Sequence, residues 1–320
     1  MANQHLRKGR LFLAFAVLVG SIVGADTVRR DFFSDPDASI VIIGSFRNAQ
    51  TGAQTESTDT TVLNAESSTA AQPSAEISYL GYNEFSVPAS QLSSGLLTVV
   101  DSTHPAPADS AAGLISLSDV KNDYYSLRSD DLMLSSDAAQ ALNLMMIDYN
   151  NATGLSDFII YSTTQQYTGE DSLCPAAFAE SYAGNTIDLA VQGANRVLEY
   201  DGKDEEAWVT ENCAKYGFIV RYPEGREAVT GQNACIWHLR YVGKVHAAVM
   251  SQYSLTLDEY AGWLKSYTID APLTYQLDGT NYEIYYTAYM GDATPVRIPV
   301  SGNYTISGNN IDGFVIAAVK

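Results

Sequence analysis

The chain has 320 residues, of which 46% are hydrophobic, enough for one large domain or two small ones with a real core. Its 37 acidic side chains outnumber 18 Lys and Arg, for a formal net charge of -19. That balance argues against nucleic acid as a partner, because phosphate binding needs clustered Lys and Arg, and it suits an acidic extracytoplasmic surface.

Arg7, Lys8 and Arg10 stand directly before an apolar run from Leu11 to Gly24. The run is shorter than the roughly 20 residues of a membrane span. It reads as the apolar region of a secretory signal with Val23-Gly24-Ala25 as the cleavage site, or as an uncleaved anchor continuing through Val28. Residues 1–30 are therefore expected to be a signal peptide or signal anchor, with the rest exported and membrane contact made only through this segment. Residues 31–76 are expected to form a flexible stalk. From Asn48 to Glu76 they are rich in Ser, Thr, Ala, Gln and Gly, and cannot bury enough apolar surface to offset ordering entropy. Ile40 to Phe46 is a short apolar run that fits a strand or a membrane-proximal piece equally.

Folding is predicted to begin near Ile77. Leu96 to Val100 reads as a buried strand leading into Asp101 and His104-Pro105. Ser135 and Ser136 precede a helix whose Ala138, Ala139, Leu142, Met145, Met146 and Tyr149 recur at helical spacing. Gly154 ends it, and Phe158 to Tyr161 form the next strand. Trp208 to Gly243 holds a short amphipathic helix with Trp208, Cys213, Tyr216 and Phe218 as core residues, then strands Phe218–Tyr222 and Trp237–Val242. Glu224-Gly225 and Thr230-Gly231 supply turns. His246 is read as structural or exposed. After a boundary at Asp270-Ala271-Pro272 come strands with turns at Asp278-Gly279 and Gly308-Asn309-Asn310, a β extension packed on the core. Three cysteines, Cys174, Cys213 and Cys235, suit either one disulfide plus a free thiol or three buried thiols.

Trp208, Asn212, Tyr216-Gly217-Phe218-Ile219, Arg221-Tyr222-Pro223, Thr230-Gly231 and Trp237-His238-x-Arg240-Tyr241-Val242-Gly243 closely resemble the core of the peptidase M15 family, the VanY-type D-alanyl-D-alanine carboxypeptidases. Leu255 to Tyr260 is similar to the end of many such domains, so the resemblance covers about Leu96 to Leu264. It implies an α+β, Hedgehog/D,D-peptidase-like core over residues 77–270, a small antiparallel sheet with flanking helices, followed by the β extension at 271–320. It also implies a zinc enzyme that trims peptidoglycan stem peptides. The extension resembles tails in some Gram-positive proteins, and a Gram-positive source is expected.

Against the family pattern S-x-H-x-x-G-x-A-x-D, Gly184 and Asp188 fit, Glu180 matches a common variant, and Ser181 stands at the first His. Asp188 and His238 are thus the metal ligands the resemblance leaves, against a usual four with one place for water, and serine is a poor zinc donor beside imidazole. Cys235 stands where the general-base Glu is expected, with Ile236 for the Pro. If Ser162 and Gln166 hold the family's Ser and Gln, Tyr161 replaces the Arg that grips the substrate carboxylate. Tyr161, Gln166, Trp237, Arg240 and Tyr241 are the substrate-binding residues carried over.

Two functions follow as expectations. In the first, the chain is a degenerate homologue with weak or absent zinc that binds peptidoglycan stem peptides or cell-wall precursors, or regulates a partner enzyme. In the second, it is an active zinc carboxypeptidase with an altered ligand set. A Cys235–Asp188–His238 metal site needs a bulge, because positions i and i+3 of a strand point to opposite faces. A Cys174–Cys235 bridge across the former site is the other use of those thiols.

Overall fold

The computed structural model describes residues 81–101, 103–105, 113–163, 180 and 184–320. The expected signal or anchor, the stalk, the Ile40 to Phe46 run, Gln166, Cys174 and Ser181 lie outside the described residues. Among the described residues no helix is long and apolar enough to cross a membrane.

The elements run β1 (Tyr82–Pro88), β2 (Leu114–Ser116), β3 (Ser126–Leu127), β4 (Met133–Ser135), α1 (Ser136–Thr153), β5 (Phe158–Ser162), β6 (Thr186–Gln192), β7 (Val197–Glu199), α2 (Ala207–Asn212), β8 (Phe218–Tyr222), β9 (Cys235–Tyr241), α3 (Lys244–Tyr253), α4 (Leu257–Trp263), β10 (Leu273–Leu277), β11 (Thr280–Ala288), β12 (Ala293–Pro299), β13 (Tyr304–Gly308) and β14 (Gly313–Val319). The main sheet has the order β3-β5-β6-β9-β8, with β7 also paired to β6. β3 runs parallel to β5, and the other pairings are antiparallel. This is the α+β arrangement expected.

α1 forms where the apolar spacing predicts. Asp137 sits in its first turn, where a carboxylate complements the helix dipole, and Gly154 ends it in the left-handed conformation. Its Ala138, Leu142, Met145, Met146 and Tyr149 pack against Phe158, Ile160, Ile187, Leu189 and Leu239 of the sheet. Each large apolar side chain so buried is worth about 1.5–3 kcal/mol. At the start of the helix Ser135 ties the sheet down: its Oγ donates to Asn185 Oδ1 at 2.7 Å, and its N–H donates to Gly184 O at 2.8 Å. Gly184 has a φ of 64°, and a Cβ there would lie 2.2 Å from Leu114 Cδ2, so only glycine fits at the entry to β6.

Leu96 to Val100 is buried as expected but is not a strand. Its hydrogen-bond partners come from a strand end and a turn instead of a ladder: Leu97 N donates to Ser307 Oγ at 2.9 Å, Val99 N to Asn309 O at 3.1 Å, and Asn310 Nδ2 to Val99 O at 3.0 Å.

The C-terminal strands form a second sheet, β10-β11-β14-β13. Asp278 and Gly279 connect β10 to β11 with φ of 49° and 81°, the two left-handed residues of a tight hairpin. Asn309 Oδ1 accepts from the N–H groups of Ile311, Asp312 and Gly313 and so builds the β13–β14 turn. β12 pairs with β1, from Tyr82↔Pro299 to Pro88↔Ala293. The first described strand thus belongs with the C-terminal extension. Packing is also continuous across residue 270, since Leu273, Ile284, Val315 and Ala317 share one cluster with Ile219, Val242, Met250, Leu257 and Tyr260.

Candidate functional site

Two irregularities in the main sheet build the site. On β5, Ile160 pairs with Leu189 but Ser162 pairs with Asp188, so Tyr161 is an extra residue that brings Ser162 level with Asp188. Between β8 and β9, Val220 pairs with Leu239 and Tyr222 with Cys235, so Ile236, Trp237 and His238 stand against Arg221 alone. This is the bulge that the Cys235–His238 spacing requires. Both residues come to lie against Tyr222: Cys235 packs on it, and the His238 ring stacks on it at 5.6 Å between centroids.

His238 Nδ1 donates to Asp188 Oδ1 at 2.6 Å, and Ser162 Oγ donates to Asp188 Oδ2. The serine therefore bonds to the acid and not to the histidine, so this is no nucleophilic triad. Glu180 closes the other side. Its Oε1 lies 2.9 Å from Arg221 Nε and 3.2 Å from Arg240 Nη1, and its Oε2 lies 3.3 Å from the Tyr222 hydroxyl and 3.6 Å from His238 Nε2. Arg221 continues to Asp258 on α4, with Nη1 at 2.5 Å and Nη2 at 3.2 Å. Glu180, Asp188, Arg221, His238 and Arg240 are all under 5% exposed. Burial alone would lower the His238 pKa, but the Asp188 and Glu180 carboxylates raise it to about 9. Burial would likewise raise Glu180, and the Arg221 and Arg240 guanidiniums hold it well below the usual carboxylate range.

Two ligands at 2.0–2.1 Å from a tetrahedral zinc stand about 3.3 Å apart. Asp188 Oδ1 and His238 Nδ1, at 2.6 Å, are bonded to one another and not spaced to share an ion. Cys235 is disulfide-bonded, which removes its thiolate as a ligand, nucleophile or base. Among the described residues no group of three or more His, Cys, Asp or Glu is placed to hold a metal ion. The donors as they stand do not fit a three-ligand zinc centre.

The remaining expected residues are placed as follows. Arg240 is fully buried, with Nη2 donating to Leu96 O at 3.3 Å and Thr98 Oγ1 at 3.1 Å. Tyr241 packs on Phe218 at 5.3 Å between ring centroids, over Gly217, where a Cβ would meet its ring at 2.7 Å. Both side chains turn inward, because alternation past the bulge points Arg240 at Glu180 and Tyr241 at the α1 core. Trp237 is half-buried, and its indole N–H finds no acceptor among the described residues. Tyr161 carries no charge, yet the Arg128 guanidinium lies 4.0 Å over its ring. Cys213 is free and buried, and burial pushes its thiol up to about 12. Burial lowers His246 to about 4, and its Nδ1 is hydrogen-bonded to the Tyr260 hydroxyl at 2.9 Å, a structural role.

Glu180, Arg221, Ser162 and Asp258 fall on stretches matched to the family in the sequence but were given no role there. Arg221 had a signal: a charge inside the buried strand Phe218–Tyr222 needs a buried acid.

The VanY D-alanyl-D-alanine carboxypeptidase family model matches residues 168–244. A D-alanyl-D-alanine carboxypeptidase of Enterococcus faecium is 31% identical over 238 residues, 71% of this chain and 76% of the relative. The bifunctional D-Ala-D-Ala dipeptidase and carboxypeptidase VanXYC of Enterococcus gallinarum is 47% identical over 54 residues, 17% of this chain and 28% of that one. The crystal structure of the vancomycin-resistance D,D-dipeptidase VanXYg with a D-Ala-D-Ala phosphinate analogue shares the fold, with a TM-score of 0.64 over 75% of this chain and 99% of that one, at 24% identity. With the fold shared and a curated relative matched over three-quarters of its length, the chain belongs to the VanY-type D-alanyl-D-alanine carboxypeptidase family.

Proposed function

We propose that this chain is an exported cell-envelope member of the family that has lost D,D-carboxypeptidase catalysis, binds zinc weakly, and serves as a binding or regulatory module for peptidoglycan stem peptides. The disulfide at Cys235 carries the reading. Where the resemblance expects a Glu to take a proton from water and pass it to the leaving amine, the side chain is tied up and does neither. The Asp188–His238 bond supports it, because a metal would have to displace the shared proton and spread the pair. Trp237 Nε1, without an acceptor among the described residues, and the Arg128 guanidinium over Tyr161 are a donor and a positive charge suited to a peptide ending in a carboxylate. The basic-then-apolar stretch Arg7 to Gly24 supports export, cleaved or anchored.

Family membership itself favours the second reading, a working zinc carboxypeptidase. One assay separates the two: release of D-Ala from a peptide ending in D-Ala-D-Ala, with and without added zinc. No release is expected in either condition, while calorimetry with the same peptide should register binding. Robust release that His238→Ala abolishes would overturn the proposal.

A further inference from the structure

The core tyrosines around α1 spend their hydroxyls on protein partners. Those of Tyr125, Tyr149, Tyr200 and Tyr216 donate to Asn143, Asp157, Glu206 O and Asp148. A second group of aromatic residues does not. Tyr253 ends α3, Trp263 ends α4, Tyr267 follows it, and Tyr275 lies on β10. The rings of Tyr253 and Trp263 stand 4.9 Å apart between centroids, and those of Trp263 and Tyr267 4.8 Å. Burial and then the neighbouring Tyr253 phenol raise the pKa of Tyr275, which places the fourth ring near the first. The three phenol hydroxyls and the Trp263 indole N–H have no hydrogen-bond partner among the described residues, and none of the four is buried. Tyr253 is 46% exposed and the other three are half-buried. Trp263, Tyr267 and Tyr275 pack from behind against the cluster that includes Tyr260, Leu264 and Leu273, so the strip is held in place before anything binds.

The chemistry of the strip selects its occupant. Aromatic faces with wet polar edges suit a ligand that is apolar on its faces and hydroxylated around its rim, as a sugar ring is. The exposed residues flanking the four in sequence, Gln252, Ser254, Ser266, Thr268, Thr274 and Gln276, offer amides and hydroxyls without charge. Lys265 is turned to Asp312. In a chain of net charge -19, such a strip favours an uncharged ligand. A protein partner fits less well. An aromatic side chain offers about 150–250 Å² in all, so four rings that are mostly half-buried fall short of the roughly 800 Å² each partner gives to a stable interface.

We propose that Tyr253, Trp263, Tyr267 and Tyr275 form a saccharide-binding strip for the glycan strand of peptidoglycan, made of other residues than the site on the main sheet. The proposal rests on the reading of this chain as a cell-wall protein, and it adds a polysaccharide ligand where that reading names a peptide.

The test is calorimetric titration of the full chain with the uncharged tetramer of N-acetylglucosamine, beside a peptide ending in D-Ala-D-Ala. The wild type should bind the saccharide. Tyr253→Ala, a change at an exposed ring, should weaken that binding by about tenfold or more, with the Tm and the peptide titration unchanged. Tyr253→Phe keeps the ring and should retain most of the affinity. A wild type that does not bind the saccharide overturns the proposal, and so does a Tyr253→Ala protein that binds it as the wild type does. If Tyr253→Ala does not fold, amide hydrogen exchange of the wild type with and without the tetramer decides: protection gained at the ends of α3 and α4 and on β10 sustains the proposal, and protection gained elsewhere sinks it. Saccharide binding without peptide binding would remove the stem-peptide reading and leave this one standing. Peptide binding without saccharide binding would do the reverse.

Discussion

The main sheet and the C-terminal sheet of this protein are held by different forces. Across the face of the main sheet, five ionisable side chains are buried in mutual contact: Glu180, Asp188, Arg221, His238 and Arg240. The C-terminal sheet is stabilised by apolar packing, with its Tyr285, Phe314 and Ile316 closed against Val296 and Ile298 of the β1–β12 pair, and its described buried carboxylate, Glu283, beside Lys320. Taking an ion out of water costs several kcal/mol, repaid only by close partners, and a buried pair is often no more stable than a well-packed apolar substitute. Stability alone therefore does not account for the cluster. It makes the main sheet intolerant of single changes, whereas the C-terminal sheet should lose stability gradually, in proportion to the side chain removed.

The sharpest way to break that contrast is Arg221→Met. It removes the guanidinium that Glu180 and Asp258 share, and the cost should be about 3–5 kcal/mol because an uncompensated buried charge remains. Urea denaturation measures it, and a loss below about 1 kcal/mol would show the cluster to be as replaceable as the apolar sheet.

A smaller effect should come from the layer between the sheets. His246 is buried on α3, and its folded pKa of about 4 lies below the unfolded value of about 6.5. The folded state therefore excludes a proton that the unfolded chain takes up. No penalty exists above about pH 6.5. It grows as the pH falls toward 4 and levels off below, reaching about 3 kcal/mol. Stability measured from pH 7 to pH 4 should fall accordingly, and His246→Leu should flatten that part of the profile. An unchanged slope would mean that His246 is not the group responsible.

The smallest effect belongs to the C-terminal sheet. Gly279→Ala puts a side chain at φ 81° in the β10–β11 turn, where nothing lies within 4 Å of the new Cβ. Only backbone strain is at stake, about 1 kcal/mol, seen as a modest Tm shift. A loss of several kcal/mol would mean that the hairpin carries more of the fold than its packing indicates.

What could be read from the sequence follows the same division. α1 was legible because its apolar residues repeat at the helical period, and the Asp278-Gly279 turn because two adjacent left-handed residues leave few alternatives. β8 and β9 were legible from their apolar character and their resemblance to the family. Leu96 to Val100 was misread because an apolar run looks the same whether its partners are a strand or a turn. The pairing of β1 with β12 joins residues about two hundred positions apart, which no local pattern reveals. The site was legible as a set of residues but not as an arrangement. Asp188 and His238 meet as direct cross-strand partners of β6 and β9, while two bulges bring Ser162 level with Asp188 and Cys235 against Tyr222, and counting in twos passes over both. Glu180 was matched to a family position and given no role, since its partner Arg221 lies 41 residues away.

The β1–β12 ladder also decides how the protein meets mechanical load. A pull transmitted through the chain before Tyr82 enters the described structure at β1. Seven paired residues and the Arg297–Glu84 contact at 3.2 Å bear it first. Should that ladder give way, the next segments in line are the short turn after Pro88 and then Leu96 to Thr98, which are fastened to Arg240. Tension from the N-terminal side is thus taken up by a peripheral ribbon before any of it reaches the charged cluster, and β1 works as a strain relief ahead of the site.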